Sequence, residues 1–246
     1  MNTKQKKGRF ARILYVGVLF SFLIPIGILI FLIATYDPAH ATLLRSDYVL
    51  MLVECVLGAT VIHLPALLRH RWQVDIPMPL YIMFLVFLFC AITLGEIGFF
   101  YHLIPHYDDI LHLMSSIMTG FFGYMLIALL NPQAKEKMPL SQFFVAIFAF
   151  CFSLTIGTVW EIYEFAADSI LGLNMQRFRT LLGEPLIGQA ALQDTMKDLI
   201  VDGCGALIAT LIGALSMSRQ RGWVHAYLQD TVDFSPNDDT AQNNIS

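Results

Sequence analysis

Three short runs carry most of the chemistry in this sequence: His106-Tyr107-Asp108-Asp109-Ile110-Leu111-His112, Trp160-Glu161-Ile162-Tyr163-Glu164, and the stretch from Asp194 through Asp198 to Asp202. On a helix, residues three or four apart share a face. His112 can therefore stand beside Asp108 or Asp109, Glu161 stands beside Glu164, and Asp168 continues that face. Asp194, Asp198 and Asp202 make a slowly drifting stripe along one side. Like charges at this spacing repel, and in a low-dielectric setting protonation, a basic partner or a bound cation must relieve the repulsion. Lys197 points to a different face from Asp198, and the surrounding apolar segments offer no other cation. A metal ion or shared protons are the remaining choices. Oxygen-rich ligands with one imidazole suit Mg²⁺ or Mn²⁺, or Zn²⁺ or Fe²⁺ when fewer carboxylates are engaged. No HExxH, EF-hand loop or paired ExxH motif narrows the metal's identity.

The elements that must position these residues are apolar helices. Hydrophobic residues make up 57% of the chain and charged residues only 14%, too few to cover the surface of a soluble domain. A spanning helix needs about 20 mostly apolar residues. Six segments qualify, at about 13–36, 48–68, 80–103, 108–130, 140–168 and 194–218. The expected fold is all-α: a polytopic bundle of about six spans over residues 13–218, between a basic N-terminus (1–12) and a polar, acidic tail (219–246) expected to be disordered.

Lys4, Lys6, Lys7, Arg9, Arg12, Arg69, Arg71, Lys135, Lys137, Arg219 and Arg221 all fall on one side of such a bundle. Arg45, Arg177 and Arg179 fall on the other. The positive-inside rule then places both termini in the cytoplasm, in a multi-pass protein of a bacterial inner membrane. The first apolar run, followed by Ala39-His40-Ala41, also has the features of a signal peptide. It is longer than the usual ~7–15 residues and is read as an uncleaved anchor. The long connection 169–193 has room for a short interfacial or re-entrant segment. Cys55, Cys90, Cys151 and Cys204 lie in apolar stretches without CxxC spacing and are read as packing residues.

With these spans, Glu54, Glu96, His112, Glu161 and Asp202 fall in one layer, roughly 6–12 Å below the extracytoplasmic boundary at 1.5 Å per residue. Ionisable residues inside a membrane are costly, and each is by default a functional-site hypothesis. Asp108, Asp194 and Asp109 can also be read as helix-start residues, which favour carboxylates. Glu161, Glu164, Asp198 and Asp202 lie too deep for that. A protonated glutamate hydrogen-bonded between helices would account for Glu54 or Glu96. Tyr101, His102 and His106 are read as interface-belt residues.

In the run from Tyr107-Asp108-Asp109 to His112, in Gly157 to Glu164 with Asp168, in Leu171 to Gln176, and in Asp194-Thr195-Met196-Lys197-Asp198 through Asp202-Gly203, the chain resembles the YjdF-type bacterial inner-membrane proteins. The resemblance covers most of the chain from the second span onward. It implies that Asp109, His112, Glu161, Glu164, Gln176, Asp194, Asp198 and Asp202 belong to one shared site, and it implies no reaction.

The functional expectation is a metal-dependent intramembrane enzyme, a hydrolase or transferase. His112, Glu161, Asp198 and Asp202 would hold one or two divalent ions (Mg, Mn or Zn), with Glu164 or Asp109 as general base. Glu54, Glu96, Asp108, Asp168, Gln176, Arg177, Arg179 and Asp194 form the surround, and the two arginines are placed to grip a phosphate or simply to sit near headgroups. The expected partners are membrane lipids, with a lipid or polyprenyl-phosphate substrate and no nucleic acid; oligomeric state is left open. The competing reading is a cation- or proton-coupled transporter using the same carboxylates, or a non-catalytic metal-binding sensor.

Overall fold

The computed structural model describes residues 3–72, 74, 76–130, 141–180 and 182–219. Among them the regular elements are all helices: α1 Thr3–Ala34, α2 Arg45–Val61, α3 Leu64–Trp72, α4 Met78–Leu88 running into a π-helical segment Phe89–Ile97, α5 Phe100–Leu103, α6 Tyr107–Leu130, α7 Gln142–Leu171 and α8 Gln189–Ser218. Among the described residues six stretches are long and apolar enough to cross a membrane: Gly8–Ala34, Arg45–Arg71, Met78–Ile97, Tyr107–Ile127, Gln142–Leu171 and Gln189–Ser218. The all-helical, six-span architecture expected from the apolar runs is therefore the one observed. The tail beyond residue 219 and the basic connection 131–140 lie outside the described residues.

Two sub-bundles share the molecule. α6, α7 and α8 pack mutually, and α1 packs with α2, α4 and the π segment. The first trio is drawn together by small residues. A Cβ on Gly123 would stand 2.9 Å from the Ala149 backbone, so α6 and α7 approach at a distance only glycine permits. Tyr124, Val145, Ala149 and Met217 fill the space around that contact, and the buried Tyr124 hydroxyl donates to Thr210 O at 2.8 Å. In the second sub-bundle, Val18, Phe22 and Leu29 of α1 are buried against Met51, Cys55, Leu85 and Ile92. All four cysteines are free thiols.

Three boundaries differ from the sequence reading, each for a physical reason. The third span does not continue to 103. It widens into the π segment, where Gly98 N bonds Thr93 O at 2.9 Å, and stops at Phe99, whose φ is +60°. The sixth helix begins at Gln189, because Gln-Ala-Ala-Leu-Gln is a good helix former though not an apolar one. Asp194 consequently sits in the second turn and is not a helix-start cap. The connection between α7 and α8 shrinks to 172–188 and holds no interfacial or re-entrant helix among its described residues. It is an irregular loop with one bridge, Arg179 to Pro185.

Candidate functional site

The ionisable residues gather at one end of the bundle because successive spans run in opposite directions. Glu54 lies in the first half of the apolar span Arg45–Arg71, Glu96 late in the π segment, His112 in the second turn of α6, Glu161 and Glu164 late in α7, and Asp194, Asp198 and Asp202 in the first half of α8. Helix periodicity turns the α7 and α8 carboxylates towards α6. The result is a set of buried polar side chains between three apolar helices: His112, Glu161, Glu164, Asp198 and Asp202.

His112 is the centre of the group. Its Nε2 lies 3.9 Å from Asp108 Oδ1 and 3.9 Å from Asp198 Oδ2, while its Nδ1 lies 3.4 Å from Asp202 Oδ1. One donor atom each from Asp108, His112 and Asp198 falls within a 4.8 Å span. Metal ligands about 2.0–2.2 Å from a shared ion stand about 3 Å apart, so these donors would need to draw in by roughly 1 Å. Around them lie orphaned atoms. Both carboxylate oxygens of Glu161 and of Asp202, and His112 Nδ1, are buried without a hydrogen-bond partner. Glu161 is 4% exposed and Asp202 2%, so both are shielded from bulk solvent. The Thr195 hydroxyl faces Glu161 without closing a hydrogen bond; it instead receives the Gln176 amide at 2.8 Å. Buried polar groups are nearly always paired, so a cluster of unpaired ones signals an unfilled requirement for positive charge or protons.

The hydrogen bonds that hold this arrangement come from neighbouring backbone and hydroxyls. Ser116 donates to His112 O at 2.8 Å, Ser153 of α7 donates to Ser116 O at 2.8 Å, and Thr119 Oγ1 meets Ser153 Oγ at 2.9 Å, so α6 and α7 are stitched together directly beneath the histidine. Gly157 makes room on α7, since a Cβ there would fall on the Asp202 carboxylate. The start of α6 is braced against the π segment by Tyr107, whose hydroxyl donates to Cys90 O at 2.8 Å.

The loop 172–188 supplies what elimination along the helices missed: a cation. Arg177, at φ +48°, reaches over the site and places Nη1 3.0 Å from Asp108 Oδ2 and 3.5 Å from Asp194 Oδ1, with its guanidinium 5.0 Å over the Tyr101 ring. Burial works against its charge. The facing Asp108 and Asp194 more than offset that and raise its pKa. Burial, then the carboxylates Glu54 and Asp108, push the Tyr101 phenol well above its usual range. His102 is lowered, first by burial and then by the Arg177 charge.

Asp168 holds this loop in place. Its two oxygens receive Met175 N at 2.7 Å and Gln176 N at 3.0 Å, immediately after α7 ends on the left-handed Gly172. Arg179 is a staple, donating to Ser46 Oγ at 3.1 Å and Gly172 O at 3.0 Å. Asp109 is turned to the flank, bonded to Lys197 at 2.7 Å and to His106 at 2.7 Å. The expectation that these carboxylates lack basic partners therefore fails for Asp108, Asp109 and Asp194. It survives for Glu161; Asp202 faces the His112 imidazole at 3.4 Å without closing a hydrogen bond.

Glu54, Glu96, Tyr101, Asp108, His112, Glu164, Arg177 and Asp202 line one cavity of about 310 Å³, together with the hydroxyls of Ser115, Ser116, Thr119 and Ser153 and an apolar wall that includes Met51, Leu57, Phe84, Ile92, Met118 and Trp160. Glu161, Asp194 and Asp198 stand behind that lining. Arg177 was expected in the surround, but its pairing with Asp108 and Asp194 and the π segment that carries Glu96 were not anticipated. No local sequence signal marks either feature.

A family model described as "predicted membrane protein (DUF2238)" matches residues 17–219, most of the chain, and the chain belongs to that family. It is also 30% identical over 133 residues to an uncharacterized protein of Thermotoga maritima, a match covering 53% of this chain and 60% of the relative. The chain thus spans about three-fifths of that relative's length. No solved structure matches it. The molecule is a polytopic helical membrane protein with a buried carboxylate–histidine cluster.

Proposed function

We propose that this protein is a divalent-cation-dependent enzyme of the YjdF type in a bacterial inner membrane, with both termini cytoplasmic and the site towards the extracytoplasmic face. It would act as a hydrolase or transferase on a lipid-type substrate. One observation carries the reading. Three convergent donor atoms from Asp108, His112 and Asp198 are flanked by buried oxygens of Glu161 and Asp202 that close no hydrogen bond, beside a cavity with ionic groups at one end and largely apolar walls. A divalent ion of the Mg, Mn or Zn class would satisfy those oxygens and, when bound, would polarise a phosphoryl or acyl oxygen or acidify a water.

The chain's own groups have definable tasks around such an ion. Glu164, buried on the cavity wall, is placed to take a proton from an attacking hydroxyl. Arg177, held rigid by the Asp168 clamp and the Tyr101 face, presents a fixed positive charge to an anionic headgroup while still sharing Asp108. Apolar walls exclude water and strengthen each of these interactions. The basic residues flanking the other ends of the spans support the orientation.

A second reading, cation- or proton-coupled transport, draws on the hydroxyls of Ser115, Ser116, Thr119 and Ser153, which carry polar lining of the same cavity deeper into the bundle. The test is to incubate detergent-purified protein with Mg²⁺, Mn²⁺ and Zn²⁺, measure bound metal by elemental mass spectrometry, and assay release of phosphate or acid from lipid phosphates and esters. Bound metal and turnover in the wild type, metal without turnover in Glu164→Gln, and loss of both in Asp198→Asn are expected. Metal binding without turnover of any lipid, together with metal-dependent flux in proteoliposomes, would favour transport. A metal-free wild type would overturn the metal reading.

A further inference from the structure

An apolar groove of about 560 Å³ runs between α1, the start of α2 and the end of the π segment, walled by Ile28, Leu32, Tyr48 and Ile97. Ile28 is 56% exposed, so the groove opens on the lipid side of the bundle. Leu43, Met51 and Phe99 line both this groove and the ionic cavity. Those three side chains thus stand at the boundary between the two spaces. Phe99 is held at φ +60°, a conformation disfavoured for a bulky residue and kept only where the surroundings impose it.

We infer that the groove is the chain subsite of the substrate: one hydrocarbon chain of an anionic, phosphate-headed lipid lies between α1 and the π segment, passes Phe99 and Met51, and presents its phosphate to Arg177 and the cation site. The two ends of the groove and cavity match the two ends of such a lipid. A lipid arriving from the bilayer meets apolar walls first and reaches the guanidinium of Arg177 only beyond Leu43, Met51 and Phe99, so chain and charge are accommodated in the order in which such a molecule carries them. A water-soluble phosphate would have no use for the groove. A neutral lipid would leave Arg177 facing no anion but Asp108 and Asp194. The inference rests on the metal-site reading for the chemistry at the headgroup, but not for the course of the chain.

The experiment is native mass spectrometry of the full chain in detergent, titrated with dioleoyl phosphatidic acid, dioleoyl phosphatidylcholine, or inorganic phosphate. Metal content is measured on the same preparations. Leu32→Trp and Thr42→Trp plug the groove from two different elements without touching the ionic residues. The wild type is expected to bind phosphatidic acid saturably and the choline lipid only as unsaturable background. Each plug should weaken phosphatidic acid binding about tenfold or more, as expected when two or so buried methylenes are displaced, with metal content unchanged.

Arg177→Gln should erase the preference for phosphatidic acid over phosphatidylcholine. Unaltered phosphatidic acid binding in both plugged variants, with metal retained, would overturn the chain subsite and leave the metal reading intact. Full competition by inorganic phosphate, with no effect of the plugs, would assign the cationic end to a free anion and also overturn it. A metal-free wild type whose phosphatidic acid binding still falls in the plugged variants would sink the metal reading and keep the groove.

Discussion

Gly157 and Gly203 make a matched pair of tests for the packing that aims Asp202. Both lie inside long helices, Gly157 in α7 and Gly203 in α8. A Cβ on Gly203 would meet Leu154 Cδ2 at 3.8 Å, ordinary contact, whereas a Cβ on Gly157 would fall on Asp202 Oδ2 and only 2.9 Å from its Cγ. Replacing a helical glycine by alanine removes backbone freedom from the unfolded chain and contributes about 1 kcal/mol. Overpacking costs about 1–3 kcal/mol. Gly203→Ala should therefore be neutral or stabilising, and Gly157→Ala should be about 1–3 kcal/mol less stable than Gly203→Ala.

For a chain of this size that difference corresponds to about 2–4 °C in the thermal midpoint per kcal/mol. The Asp202 carboxylate cannot yield freely, because His112 Nδ1 lies 3.4 Å from its other oxygen. Its displacement should weaken divalent-ion binding roughly 10- to 100-fold, as loss of a group beside the ligands does. Thermal unfolding in detergent and calorimetric metal titration of the two variants read both effects. If Gly157→Ala matched Gly203→Ala in stability and metal affinity, the proposed coupling of α7 packing to Asp202 would be wrong.

Other perturbations separate the roles of the loop. Asp168→Asn leaves one of the two clamped backbone N–H groups without an acceptor, at about 1–3 kcal/mol; hydrogen exchange should accelerate at Met175 and Gln176 while the far end of α7 stays protected. Arg179→Ala should lower the thermal midpoint by releasing Ser46 and Gly172 yet leave lipid headgroup preference unchanged, the reverse of Arg177→Gln. Because burial and then the Arg177 charge both disfavour the His102 imidazolium, Arg177→Gln should raise the His102 pKa towards its ordinary value, observable by NMR titration of the imidazole protons. Tyr124→Phe removes the donor to Thr210 O at the opposite end of the trio and should cost about 1 kcal/mol of stability without altering metal content.

The spans could be read from the chain because an apolar run long enough to cross a membrane is a direct physical requirement, and the residues within it announce themselves by being polar. His112, Glu161, Asp198 and Asp202 could be nominated on those grounds, together with the alternation of span direction that puts them at one end. Helix ends were less legible. Gln189–Gln193 is helical without being apolar, and Leu94–Leu103 is apolar without being one helix. The π segment at Phe89–Ile97 shifts the face on which Glu96 appears, and nothing in its composition distinguishes it from an α-helix. Arg177 was harder still. Its entry into the site depends on a positive φ and on two backbone bonds to Asp168 seven and eight residues away, and loop conformations of that kind have no periodic signature.

The central claim is that Asp108, His112 and Asp198 jointly hold a divalent ion. Its most direct test is electron paramagnetic resonance of the purified protein loaded with Mn²⁺, with electron spin-echo modulation to detect directly bound nitrogen. The structure predicts coupling to one imidazole nitrogen in the wild type, its loss in His112→Gln, and loss of tight binding in Asp198→Asn. Mn²⁺ bound with no nitrogen coupling, or coupling that persists in His112→Gln, would contradict the account.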